Sequence, residues 1–283
     1  MRAFSKYELV AKPGSKTYVH LLCGVMSETK ATFGAHFFGD AGANRHNVVF
    51  WDYAERYNDQ EMSDEITKYI VSCGEDTKHY VVGVSFGARV MHLAAQRFAP
   101  WSGLGKKYEV ELVAITPVAD YRMSKDPMLR KRPLLTLMLT GLVGGIASVV
   151  GPLRRKKFVK SSVGHPYWGS HETDPEHLAE YYAEDEAGTR TPLGQFVDQA
   201  HELATKIPVR EKLPKCHLVL IDDLLKIGNT RGDWHVDYHA AKAFYDKWFD
   251  EVNLIVVESA HSRMNSWYRE YYYHVFLPLE LVK

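Results

Sequence analysis

The stretch Tyr80-Val81-Val82-Gly83-Val84-Ser85-Phe86-Gly87-Ala88-Arg89 decides the fold. Tyr80 to Val82 is a short, β-branched apolar run that reads as a buried strand, while Val90, Leu93 and Ala94 recur at helix spacing just beyond it. Between them stands G-x-S-x-G, Gly83 to Gly87, so strand must pass into helix through one tight turn. Such a turn strains its central residue, and glycines on either side remove side chains that would collide with the adjoining strand and helix. The Ser85 hydroxyl is thereby held clear of the sheet, at the positive end of a helix dipole.

Working outward, Val19 to Leu22, Val48 to Trp51, Val110 to Ile115, Leu218 to Ile221 and Leu254 to Val257 are further apolar runs that read as buried strands. Helical periodicity lies between them, in Met62, Ile66, Tyr69, Ile70 and Cys73, and later in Val236, Ala240, Phe244 and Trp248. Strand alternating with helix predicts a doubly wound, mostly parallel α/β sheet with helices on both faces, and ligands bind such sheets at the carboxyl ends of their strands. The alternation stops between about Tyr121 and Leu213, where Glu176 to Ala187 and Gly194 to Lys206 read as amphipathic helices. The division expected is a core of residues 1–120 and 214–283 with an inserted helical cap, 121–213.

Composition narrows the function classes. Apolar residues make up 46% and charged residues 25%, which argues for an ordinary folded chain rather than a disordered one. Basic and acidic residues balance at 35 each, so no global field draws the chain to nucleic acid, and no nucleic-acid partner is expected. Cys23, Cys73 and Cys216 are widely spaced, without a CxxC pair, and read as buried thiols; no metal site is expected. The first residues lack a secretory apolar run, and the protein is expected to be cytoplasmic.

A serine nucleophile needs a base. After the last strand run the chain continues Glu258-Ser259-Ala260-His261-Ser262, which puts the His261 imidazole on the loop leaving that strand. The base in turn needs a buried carboxylate to hold its tautomer and stabilise its cation. Asp222, Asp223 and Asp233 all follow the strand at Leu218 to Ile221, and Asp120 follows the one before.

With its strand order, G-x-S-x-G turn, inserted helical segment and terminal histidine, the whole chain resembles the α/β-hydrolase superfamily, in the branch of serine hydrolases with a helical cap. The resemblance implies the chain order nucleophile, acid, base, met by Ser85, one of the aspartates and His261. Gly232-Asp233-Trp234-His235-Val236 is similar to the family's acid segment and makes Asp233 the preferred acid. The long loop from Ile221 to Asp233 keeps Asp223 as the alternative. The resemblance also implies an oxyanion hole built from the N–H of Phe86 and one from the loop Cys23-Gly24-Val25-Met26, with Val25 first and Met26 second; Cys23 stands where relatives usually carry His. It implies an esterase or lipase-like activity on a small-molecule or lipid ester, with no cofactor. A thioesterase, a C–C bond hydrolase or an acyltransferase would use the same residues, and a non-catalytic binding protein on this scaffold is the alternative of another class.

Pro133 to Leu153 is an uncharged run of 21 residues, long enough to cross a bilayer, for which about 20 suffice. A single crossing would place the strands at Val110 and Leu218 on opposite sides of a membrane, so a lid over the site is expected instead. Its glycines, Gly141, Gly144, Gly145 and Gly151, suggest two shorter segments with a bend. With Arg154-Arg155-Lys156-Lys157 beyond it, residues 133–157 are expected to touch a membrane only peripherally, from one side.

Overall fold

The computed structural model describes residues 6–24, 29–38, 45–53, 58–150, 193–227, 230–233, 235–259 and 268–282. All six expected strand runs are present. They lie in β2 (Thr17–Leu22), β3 (Asn47–Asp52), β4 (Lys78–Val84), β5 (Glu109–Ile115), β6 (Leu213–Ile221) and β9 (Phe249–Val257). A strand without strong apolar character, β1 (Lys6–Val10), completes a seven-stranded sheet of order β1-β3-β2-β4-β5-β6-β9. Only β1 is antiparallel, at the edge beside β3; the other six strands run parallel. A small hairpin, β7 (Lys226–Ile227) with β8 (Thr230–Arg231), occupies the long loop after β6.

Both faces of the sheet centre are covered, which is why the carboxyl-terminal halves of β2, β4, β5 and β6 are buried on both sides rather than alternating. On one face Val81, Leu112, Ala114, Leu218 and Leu220 pack with α2 (Asp59–Ser72), α3 (Gly87–Gln96) and α7 (Tyr238–Trp248). On the other, Val19, Val82, Val113 and Val219 pack with Phe33 and Phe37 of α1 (Thr29–Phe38) and with Tyr271, Val275 and Phe276. Those last residues belong to α8 (Tyr268–Tyr271) and the π-helical turn Tyr272–Phe276 that continues it. Of the three thiols, Cys23 and Cys216 are buried but Cys73, at the end of α2, is half-exposed.

Between β5 and β6 the described residues form α4 (Pro127–Lys131), α5 (Pro133–Val150) and α6 (Leu193–Leu203). The bend expected in the uncharged run is absent up to Val150, because α5 is one continuous helix of 18 residues. Each glycine costs about 1 kcal/mol relative to alanine without breaking the hydrogen-bond ladder, and the Leu and Met around them are strong helix formers. The helix expected over Gly194 to Lys206 is α6 and stops at Leu203; the one expected over Glu176 to Ala187 lies outside the described residues. Among the described residues no helix is long and apolar enough to cross a membrane. The helix expected from Val236 begins at Tyr238, because the Asp237 carboxylate accepts from the Ala240 N–H and caps it there, while Val236 bridges to Ser124.

Two buried polar networks hold these layers. Arg89, one turn beyond Ser85 on α3, is 1% exposed and donates to the Asp59 carboxylate on α2 at 2.7 Å, to the Ala119 carbonyl beyond β5 at 2.8 Å and to the Thr205 hydroxyl at 2.9 Å. Glu202 of α6 lies 3.5 Å from the same guanidinium; burial and the neighbouring Asp59 push its carboxyl up to about 7. Arg89 thus ties the turn after Ser85 to α2, to the β5 exit and to the end of α6. A second chain runs inside the sheet. The Trp51 indole donates to His20 Nδ1 at 3.3 Å, which leaves the His20 proton on Nε2 to be donated to His79 Nδ1 at 2.9 Å. His79 Nε2 then donates to Thr77 Oγ1 at 2.8 Å. Both rings are neutral: burial lowers His20 far below the usual histidine range, with His79 adding to it, and burial takes His79 down to about 4.

Truncating the arginine leaves the buried Asp59 carboxylate unpaired, so Arg89→Leu is expected to lose about 3–5 kcal/mol in urea unfolding at pH 7. A loss under about 1 kcal/mol would show that this network does not hold the layers. For His79 the folded state binds its proton less readily than the unfolded chain, whose histidines titrate near 6.5. Its contribution is therefore complete above about pH 6.5 and is lost as pH falls towards 4, on the order of 3 kcal/mol across that window. His79→Gln, which hydrogen-bonds without titrating, is expected to flatten the dependence of unfolding free energy on pH between 7 and 4.

Candidate active site

The turn after β4 places Ser85 at φ 52, in the left-handed region that a residue with a Cβ enters only at a cost. Backbone hydrogen bonds hold it there. Its N–H donates to the Ile115 carbonyl at 2.9 Å, and its carbonyl accepts from Val118 and Ala88 at 3.0 and 3.2 Å. The glycines at the turn are steric requirements. A Cβ on Gly83 would lie 2.5 Å from the Ala88 backbone at the start of α3, and one on Gly87 would lie 2.4 and 2.5 Å from the Leu22 and Cys23 carbonyls at the end of β2. Gly24 meets the serine itself, since a Cβ there would stand 2.9 Å from Ser85 Cβ and 3.3 Å from Oγ. The serine side chain therefore faces the loop leaving β2, at the carboxyl edge of the sheet between two parallel neighbours.

Phe86, fully buried, follows Ser85 in αR conformation directly ahead of α3. The end of β2 is clamped from two sides by residues that the sequence pattern did not single out. The Tyr53 hydroxyl donates to the Cys23 carbonyl at 2.7 Å, and its ring lies 6.0 Å from that of Phe86. Burial keeps the Tyr53 hydroxyl protonated, well above the usual range. From the other side the Thr29 hydroxyl donates to the Trp51 carbonyl at 2.6 Å and accepts from the Cys23 N–H at 3.2 Å. Periodicity carries no signal for either residue; Tyr53 reaches Cys23 because β3 is the spatial neighbour of β2, and the same pairing brings the Trp51 carbonyl to Thr29. Thr116, at the end of β5, also has a left-handed backbone, φ 40, and its buried hydroxyl has no partner among the described residues.

The candidate acids separate by environment. Asp233 is 5% exposed, and its Oδ1 accepts from the N–H groups of His235 and Val236 at 2.7 and 3.0 Å. It is held to the chain that leaves β5: Lys125 donates from its side chain to the Asp233 carbonyl and from its backbone to the His235 carbonyl, and Asp237 N–H donates to Met123. Asp233 is not the cap of α7, a role filled by Asp237. The Asp223 carboxylate is 42% exposed and lies 3.6 Å from the exposed ring of His239. Asp222 closes a turn by accepting from the Leu224 N–H, and the buried Asp120 carboxylate is engaged by Arg122. His261, Val25 and Met26 lie outside the described residues. Ser85, Phe86, Gly83 and Gly87 stand together at the turn, and Gly24 stands against it.

No protein-family model matches the chain, and no curated protein matches it in sequence. Solved structures match it over nearly its full length at low identity. An enol-lactonase from Burkholderia xenovorans superposes with a TM-score of 0.67 at 8% identity, covering 98% of this chain and 96% of its own. An esterase from Exiguobacterium antarcticum gives 0.64 at 11% identity, covering 98% and 95%, and a type II thioesterase of the yersiniabactin pathway gives 0.60 at 12%, covering 97% of each chain. The sheet order, the strained serine between β4 and α3 and these full-length superpositions agree that the chain has the α/β-hydrolase fold.

Proposed function

We propose that this chain is a serine hydrolase that cleaves a carboxylic ester through an acyl-enzyme on Ser85. The observation that carries the reading is the backbone of Ser85, held at φ 52 on a turn whose flanking glycines have no room for a Cβ. Strain of this kind persists only where the surroundings over-determine it, and it concentrates at catalytic positions. Asp233 supports the reading as a buried carboxylate on the loop that follows β6, and His261 supports it by its place in the sequence after β9.

In this mechanism His261 takes the Ser85 proton as Oγ attacks the ester carbonyl, and Asp233 orients the imidazole and stabilises its cation. The carbonyl oxygen becomes an oxyanion held by the N–H of Phe86 and that of Val25, with Met26 as the second choice on that loop; α3 adds the positive end of its dipole. The tetrahedral adduct collapses, the C–O bond to the alcohol breaks, and His261 returns the proton to the leaving alkoxide. Water, deprotonated by the same imidazole, then releases the acid and restores Ser85. Residues 121–213 act as the cap that shapes the pocket over this centre.

Labelling with a fluorophosphonate probe tests the proposal directly. Wild-type protein is expected to be labelled and Ser85→Ala to be blank with an unchanged circular dichroism spectrum; a Ser85→Ala protein that still turns over p-nitrophenyl esters would overturn it. Asp233→Asn is expected to lower kcat by about 10⁴, the scale seen when a triad acid is neutralised, and Asp223→Asn to change it less than about tenfold. A panel of p-nitrophenyl esters and acyl thioesters sorts the bond cleaved. Tyr53→Phe loses one hydrogen bond behind the oxyanion loop and is expected to lower kcat about tenfold with KM unchanged, since the loop anchored through the Cys23 carbonyl presents its N–H to the transition state rather than to the ground state. Should KM rise while kcat stays put, Tyr53 positions substrate and not the oxyanion loop.

A further inference from the structure

The helix α5 presents an apolar face that the ester chemistry does not use. Leu134, Met138 and Leu142, at i, i+4 and i+8, are 75%, 73% and 66% exposed, and Leu135, Leu139 and Val143 flank them in partial exposure. Successive members of this stripe are separated by about 40° around the helix, so the six side chains form one continuous face. The opposite side is occupied: Thr140 Oγ1 lies 3.1 Å from His201 Nδ1 of α6. A monomeric soluble protein rarely leaves so many large apolar side chains contiguous in water.

Charge names the occupant. The chain as a whole is neutral, with 35 basic and 35 acidic residues, but from Pro127 to His171 the sequence contains eight basic residues and no acidic one. Three of the eight, Arg130, Lys131 and Arg132, stand in consecutive exposed positions immediately ahead of α5. Arg130 pairs with Asp237, the cap of α7, which leaves Lys131 and Arg132 beside the apolar stripe. An apolar helical face with cations at its end matches a bilayer carrying anionic headgroups, where the side chains enter the acyl boundary and the cations meet phosphate.

We propose that α5 docks the protein on anionic lipid surfaces, inserting Leu134, Met138 and Leu142 with Lys131 and Arg132 at the headgroup level. The chain that leads into α5 is tied to the candidate acid, because Ser124 bridges to Val236 and Lys125 bonds to the Asp233 and His235 carbonyls just ahead of α4. Binding is measured without turnover, so its failure and a failure of the Ser85 chemistry are distinguishable.

The full-length protein is floated with vesicles of phosphatidylcholine alone and of phosphatidylcholine with phosphatidylglycerol. Wild-type protein is expected to rise with the anionic vesicles, to bind the neutral ones at least tenfold more weakly, and to be released by 0.5 M salt. The triple variant Leu134→Glu, Met138→Glu, Leu142→Glu is expected to lose anionic binding by at least tenfold with an unchanged circular dichroism spectrum. The pair Lys131→Glu, Arg132→Glu, which leaves the apolar stripe intact, is expected to remove the preference for phosphatidylglycerol. Absence of wild-type flotation, or flotation that both variants retain, overturns the proposal. So does a wild-type dimer in solution that the triple variant turns into monomer without any vesicle binding, which would assign the face to a second copy.

Discussion

The structure depends on how closely three pieces of backbone approach one another at the end of β4. Gly83 lets the strand lie against the start of α3, Gly87 lets that helix lie on the terminal carbonyls of β2, and Gly24 lets the β2 exit meet the Ser85 side chain. Any Cβ at the first two positions would have to push backbone aside, because what it meets is main chain rather than the flexible end of a side chain. The strained φ of Ser85 follows from the same crowding, and the hydrogen bonds to Ile115, Val118 and Ala88 offset its cost.

From that turn the rest of the molecule is braced in two directions. Downstream, Arg89 extends the first turn of α3 into a buried network that reaches Asp59, Ala119 and Thr205. A lone guanidinium so deeply buried would be costly; here the Asp59 carboxylate and the neighbouring oxygens satisfy it in a directional way. Upstream, the end of β2 is held by Tyr53 and Thr29, so the loop facing the serine starts from a fixed carbonyl and a fixed N–H. The neutral pair His20 and His79 lies further back along β2 and β4, where its proton order is set by the donor-only indole of Trp51.

The segment between β5 and β6 answers to a different constraint. It is anchored at its start through Ser124 and Lys125 to the loop that carries Asp233, and at its end through Glu202 and Thr205 to Arg89. Between these anchors, among the described residues, α5 meets α6 through Thr140 and His201 while Leu134, Met138 and Leu142 stay exposed, so that exposed side is governed by what surrounds the protein rather than by its core.

The sequence by itself determined the sheet and the glycine-flanked serine turn. Runs such as Leu112 to Ile115 are apolar on both faces because helices cover both, and G-x-S-x-G has one steric use between a strand and a helix. It missed β1, whose Lys6 and Glu8 interrupt the apolar pattern at an edge that faces water. It read a bend into α5 from glycine content, although propensity is a weak guide against a run of strong helix formers. Among Asp222, Asp223 and Asp233 it could only rank, since all three follow one strand; burial and partners, which set them apart, are properties of the folded loop. Tyr53 and Arg89 were beyond its reach because their partners lie 30 or more residues away, and Thr29 because its bond to the Trp51 carbonyl spans 22; the fold, not any local period, brings these groups together.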